Sequence, residues 1–183
     1  MKKLLLLLLI LIVLLSCGRG GKELYTAPSR VVPDSFAIGL NLFNKGRAAS
    51  RNSANMDSGL FYMQLSEIFF QREVDKAQVN RFIAFIYSSR GMLDEAMPYF
   101  LKASRMANEW QYSSICQEVA KVYAAAGRFR EGVLVMDLIR KNMNDRTVVP
   151  YYHLAKGNLW AGVNEYDSAV TYYRTASISC LLY

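Results

Sequence analysis

One spacing governs what this chain can become. Val119, Ala120, Tyr123, Gly127, Phe129, Gly132 and Met136 repeat Ile83, Ala84, Tyr87, Gly91, Leu93, Ala96 and Phe100, each at an offset of 36 residues. Gly157, Trp160, Asn164, Tyr166, Ala169, Tyr173 and Ala176 then repeat Ala120, Tyr123, Gly127, Phe129, Gly132, Met136 and Ile139 at an offset of 37. One offset shared by seven positions is hard to reach by chance. A period of this length marks a stacked array, in which each unit contacts mainly its neighbours.

Within the unit, the chain reads as helix, turn, helix. The first helix is expected from about Lys76 to Ser89, with Phe82, Ile83, Phe85, Ile86 and Tyr87 as a wide apolar face. Gly91 stops it, as glycine after a helix commonly does. Leu93-Asp94-Glu95-Ala96 opens the return helix, with Met97, Phe100, Leu101 and Ala103 apolar. Pro98 falls in its second turn, close enough to the start to be tolerated.

Upstream, Asp34-Ser35 is a fair N-cap ahead of Phe36, Leu40 and Phe43 at helical spacing. That helix is expected to fade near Lys45-Gly46, with Arg47 to Asn55 as a turn or loose loop. Ser58 can cap a second helix with Leu60, Phe61, Leu65, Ile68 and Phe69 on its inner face. The pair, residues 34–75, reads as a divergent hairpin without the small-residue marks of the later copies. Residues 76–183 hold about three copies.

The N-terminus is not part of the fold. Met1-Lys2-Lys3 is basic, Leu4 to Leu15 is an unbroken apolar run of 12, and Ser16, Cys17 and Gly18 follow. This is the layout of a secretory signal. The run is short for a spanning helix, which needs about 20 apolar residues. Leu14-Leu15-Ser16-Cys17 resembles the lipobox of bacterial lipoproteins. The resemblance implies cleavage after Ser16 of a signal peptide spanning 1–16. It also implies lipidation of Cys17 and attachment to a membrane of the bacterial cell envelope, on its periplasmic or surface face. Residues 17–33, rich in glycine and with two prolines, read as a flexible tether. From Gly18 to Pro33 it reaches at most about 50 Å.

The repeated positions resemble the tetratricopeptide repeat, a helix–turn–helix unit of about 34 residues. In that family a small residue and an aromatic three on mark the first helix, and glycine or asparagine marks the turn. An alanine and an aromatic four on mark the second helix. Ala84, Tyr87, Gly91, Ala96 and Phe100 occupy those places, as do Gly157, Trp160, Asn164, Ala169 and Tyr173. The middle copy has Ala120, Tyr123 and Gly127, but Gly132 and Met136 depart from the pattern. The third copy has Lys156 where leucine is usual. The fold implied is all-α, a right-handed superhelical array of antiparallel helix hairpins. Small residues let helices approach and large ones fill the grooves between them. The family binds peptides on a concave face made by the first helices. Asn80, Arg81, Gln117 and Lys121 are polar residues on those helices and are the candidate partner groove.

After the third copy comes Ser177 to Tyr183, an apolar tail with no polar helix to close the array. Packing back of the tail, a partner over that end, or a longer parent protein would each answer this; the last is favoured.

Catalytic chemistry is not legible. His153 is the sole histidine, and a metal site needs several ligands at matched spacing. Gly18 to Gly21 lacks a preceding strand for a phosphate loop. Asp94-Glu95 suit the positive end of a helix. Losing Lys2 and Lys3 leaves 20 basic side chains against 15 acidic, and no block of like charge suggests nucleic acid. Cys116 sits on an apolar face and reads as a buried free thiol. No cofactor, metal, nucleic acid or small-molecule substrate is expected. The function expected is a non-enzymatic scaffold for a protein or peptide partner. The alternative is the truncated sensor module of a signalling protein.

Overall fold

The computed structural model describes residues 34–140 and 149–181, and the signal peptide, Ser16, Cys17 and the tether lie outside them. The described residues form eight α-helices and one 3-10 turn, with no strand among them. They fall into two compact units that divide between Ile115 and Cys116.

In the first unit, α1 (Asp34–Ala49) and α2 (Met56–Phe69) form a hairpin. α3 (Glu73–Ser89) packs on α2 and pairs with α4 (Leu93–Met106), and α5 (Glu109–Ala125) begins here. α1 runs past Gly46 rather than ending there. A Cβ on Gly46 would lie 3.1 Å from the Gly59 carbonyl oxygen and from Met63. One on Gly59 would lie 3.1 Å from the Ser50 Cβ. The first hairpin therefore has its own small-residue crossing, contrary to the sequence expectation. Here glycine removes bulk between two helices and does not break one. The cap also moves. Asn52, not Ser58, accepts a hydrogen bond from the Ala54 N–H at 3.0 Å, leading a short 3-10 turn into α2.

That crossing fixes which side of α2 is inward. Gly59, Leu60, Met63 and Ser66 are buried. Phe61 and Ile68, expected on the inner face, are 60% and 77% exposed. Phe43, Leu60, Met63, Phe70, Val79, Ile83 and Ile86 make the core, each burial contributing about 1.5–3 kcal/mol. One polar link ties α2, α3 and α4. Buried Asn80 donates to Glu67 Oε1 at 2.7 Å, and Lys102 pairs with the same oxygen at 2.7 Å.

In the second unit the rest of α5 is followed by α6 (Phe129–Leu138), α7 (Val149–Gly162) and α8 (Tyr166–Leu181). α6 packs on α7, and α7 pairs with α8. Ser177 to Leu181 of the expected tail continue α8.

The three repeated turns share one construction. Gly91, Gly127 and Asn164 have φ of +75°, +70° and +63°. The N–H of the next residue donates back to the repeat aromatic: Met92 to Tyr87 O at 3.0 Å, Arg128 to Tyr123 O at 2.9 Å, Glu165 to Trp160 O at 3.1 Å. The turn residue donates to the following carbonyl, of Ser88, Ala124 or Ala161. This pair of bonds is the Schellman stop, which needs a left-handed residue and so favours glycine or asparagine. The same Met92, Arg128 and Glu165 then open the next helix, their carbonyls accepting from the N–H of Ala96, Gly132 and Ala169.

The small positions set the helix approach. A Cβ on Gly132 would fall 2.8 Å from the Tyr123 Cβ and from Leu159, and one on Gly157 2.7 Å from the Tyr173 ring. Ala84, Ala96, Phe100, Ala120, Tyr123, Ala169 and Tyr173 are buried, and Trp160 is half-buried.

Candidate partner-binding surface

Besides Phe61, two large aromatics in the first unit face outward. Phe85 is 49% exposed and Trp110 is 66% exposed. Six consecutive apolar residues from Phe82 to Tyr87 span more arc than one helix face can bury. Ile83 and Ile86 take the core, so Phe85 is turned out.

Trp110 is positioned by the start of α5. The Gln111 N–H donates to Asn108 Oδ1 at 2.9 Å, and the Asn108 N–H donates to Gln111 Oε1 at 3.3 Å. This reciprocal capping box satisfies two N–H groups that a helix start leaves over. Gln111 Nε2 also donates to the Val74 carbonyl at 2.8 Å, fixing the first turn of α5 against the start of α3. Trp110 is therefore on a held turn. The Arg81 guanidinium bridges the two helices, 5.7 Å from the Trp110 ring and 5.5 Å from that of Phe82. Such contacts contribute about 0.5–1 kcal/mol where exposed. Arg81 and Trp110 thus form a cationic, aromatic pair on a capped helix start, and Phe85 follows Arg81 by four residues on the same side of α3.

Of this surface, Arg81 is legible in the sequence and the outward turn of the aromatics is not. Asn108-x-x-Gln111 was the available signal, since it starts a helix and places Trp110 in its first turn. Trp110 also falls off the buried stripe of Tyr112, Ile115, Cys116 and Val119. Asn80 is corrected. It is fully buried, and its amide donates to Glu67 and to the Lys76 carbonyl, so it cannot meet a partner. Gln117 and Lys121 are exposed on the part of α5 that lies in the second unit.

The second unit holds a polar cluster under aromatic rings. Lys156 is buried. Its Nζ pairs with Asp137 and lies 5.0 Å from the Tyr172 ring. The Tyr152 hydroxyl donates to the same Asp137 oxygen at 3.0 Å. Burial, then the Asp137 carboxylate, push the Tyr152 phenol well above its ordinary pKa. His153 packs on Tyr152 and Tyr172, with a buried Nδ1 that has no hydrogen-bond partner. Burial, then the Arg140 and Lys156 charges, lower its pKa to about 4. A neutral imidazole wedged between rings is a packing element. Among the described residues, no group of three or more His, Cys, Asp or Glu could hold a metal ion. Cys116 is fully buried.

Comparisons with protein families, with curated proteins and with solved structures find no match to this chain.

Proposed function

We propose that this chain is a membrane-anchored interaction scaffold: a tetratricopeptide-like array, right-handed and superhelical, that docks a protein or peptide partner. In this reading Cys17 carries the lipid after cleavage behind Ser16, and the array stands on the bacterial cell envelope. It is not an enzyme; its work is to hold a partner near a membrane. The observation that carries the docking role is the outward pair Phe85 and Trp110, with the Arg81 guanidinium on the Trp110 ring. Exposed aromatics with an arginine are the side chains that dominate interface energies. The recurrence of one turn construction at Gly91, Gly127 and Asn164 supports the array.

Affinity capture from solubilised envelopes tests it. Lipidated protein is expected to bring down a discrete partner. The Phe85→Ser/Trp110→Ser double variant, checked for an unchanged helical spectrum, is expected to lose it. Cys17→Ala is expected to take up no labelled fatty acid. A double variant that captures the same protein as the wild type would remove this surface from the function.

A further inference from the structure

The first hairpin carries a second unoccupied face. Phe61, Leu65 and Ile68 lie at i, i+4 and i+7 on α2, one stripe along one side of the helix. Phe61 and Ile68 are the exposed members and Leu65 is half-buried. We propose that this stripe lies against the lipid surface to which the chain is tethered. The proposal rests on the lipidated reading of Cys17.

Three observations select a lipid surface. The stripe ends where the tether enters the fold. A Cβ on Gly39 of α1 would touch the Phe69 Cβ at 3.2 Å, and the Phe36 and Phe70 rings are 5.5 Å apart. The C-terminal end of α2, with Ile68, is thus beside the first turns of α1, directly after Pro33. The tether holds that end within about 50 Å of the lipid, and closer when not extended. The hairpin's charge also suits an anionic surface. α1 and the loop after it carry three bases, Lys45, Arg47 and Arg51, against one acid, Asp34. The two acids of α2 are neutralised, Asp57 by Arg90 at 2.8 Å and Glu67 by Lys102 at 2.7 Å. Finally, α2 itself has no lysine or arginine, so the bases come from α1 and the loop after it while α2 supplies the apolar stripe, and a second weak contact of this kind stabilises a lipid anchor.

The test is side-chain photolabelling of the wild-type lipidated protein, reconstituted on vesicles of phosphatidylethanolamine with a minority of phosphatidylglycerol. Mass spectrometry of Cys17 in the same sample reads the anchor. Labelling at Phe61 and Ile68 is expected to fall at least about threefold below that at Trp110 and Phe85, which meet no partner on pure vesicles. A lipidated chain whose Phe61 and Ile68 label as strongly as Trp110 overturns the proposal and leaves the anchor standing. Cys17 without lipid removes both. Protection seen only in intact cells assigns the stripe to a protein partner. Protection that grows with protein density on the vesicle assigns it to a second copy. Either outcome overturns the lipid contact.

Discussion

Gly157→Ala is the sharpest test of the packing scheme, because two effects of opposite sign meet there. In a helix interior, alanine is favoured over glycine by about 1 kcal/mol. Against this, the new Cβ would lie 2.7 Å and 2.8 Å from Tyr173 ring carbons, where ordinary contact begins at 3.4 Å. The ring must therefore retreat by about 0.7 Å in a packed interior. It has little freedom to do so. Tyr173 is fully buried, and its hydroxyl donates to Asn158 Oδ1 at 2.7 Å. Overpacking of this kind costs about 1–3 kcal/mol. The cost meets or exceeds the propensity gain, and the net loss is up to about 2 kcal/mol. For a chain of this size that lowers Tm by up to about 8 °C, read by circular dichroism. Tyr173→Phe cuts the tie to Asn158, so Gly157→Ala should cost less in that background, with a coupling above about 0.5 kcal/mol. Gly91→Ala is the contrast. Nothing lies within 4 Å of its Cβ, and its strain is purely the positive φ. It should cost about 1 kcal/mol with no coupling to Tyr173. A Gly157→Ala protein that melts higher than wild type would refute the claim that this glycine is there for space.

Three further outcomes follow from the second unit and from α5. His153 has a pKa near 4 in the fold, below the ordinary 6.5. Its contribution is therefore fully present above pH 6.5 and is lost as pH falls toward 4. It amounts to about 1–3 kcal/mol after discounting for partial exposure, so His153→Gln should flatten the acid limb of stability against pH. Lys156→Met fills the same volume under Tyr172 and should change stability by less than about 1.5 kcal/mol, whereas Lys156→Ala leaves a cavity and should cost about 2–4 kcal/mol in urea unfolding. Gln111→Ala removes half of the capping box and the bond to Val74, and should cost about 1–2 kcal/mol in the same assay.

What the sequence disclosed was the part set by backbone geometry. A left-handed turn restricts residue choice sharply, so Gly91, Gly127 and even Asn164 could be read as stops from their spacing. Gly46 looked like another stop, and was not. Glycine serves two physical ends, and only the partner helix shows that Gly46 meets Gly59. The same crossing decided which face of α2 is buried. Hydrophobicity alone put Phe61 and Ile68 inside, but Gly59, Met63 and Ser66 claimed the inner side. Arg81 was legible as a polar residue on a first helix. Trp110 was not, because its outward direction depends on a cap at Asn108 and on Gln111 reaching Val74, 37 residues away. Asn80 was misplaced for a similar reason. A polar side chain can be buried when a neighbour such as Glu67 satisfies it, and that neighbour belongs to another helix.

The most direct test of the scaffold function is photocrosslinking in intact cells. A photoreactive phenylalanine analogue would replace Phe85 or Trp110, with exposed Leu134 as the control position. A scaffold that docks its partner on this surface yields one discrete adduct from both 85 and 110, of the same protein, and none of it from 134. Absence of any adduct, or the same diffuse ladder from all three positions, would contradict it.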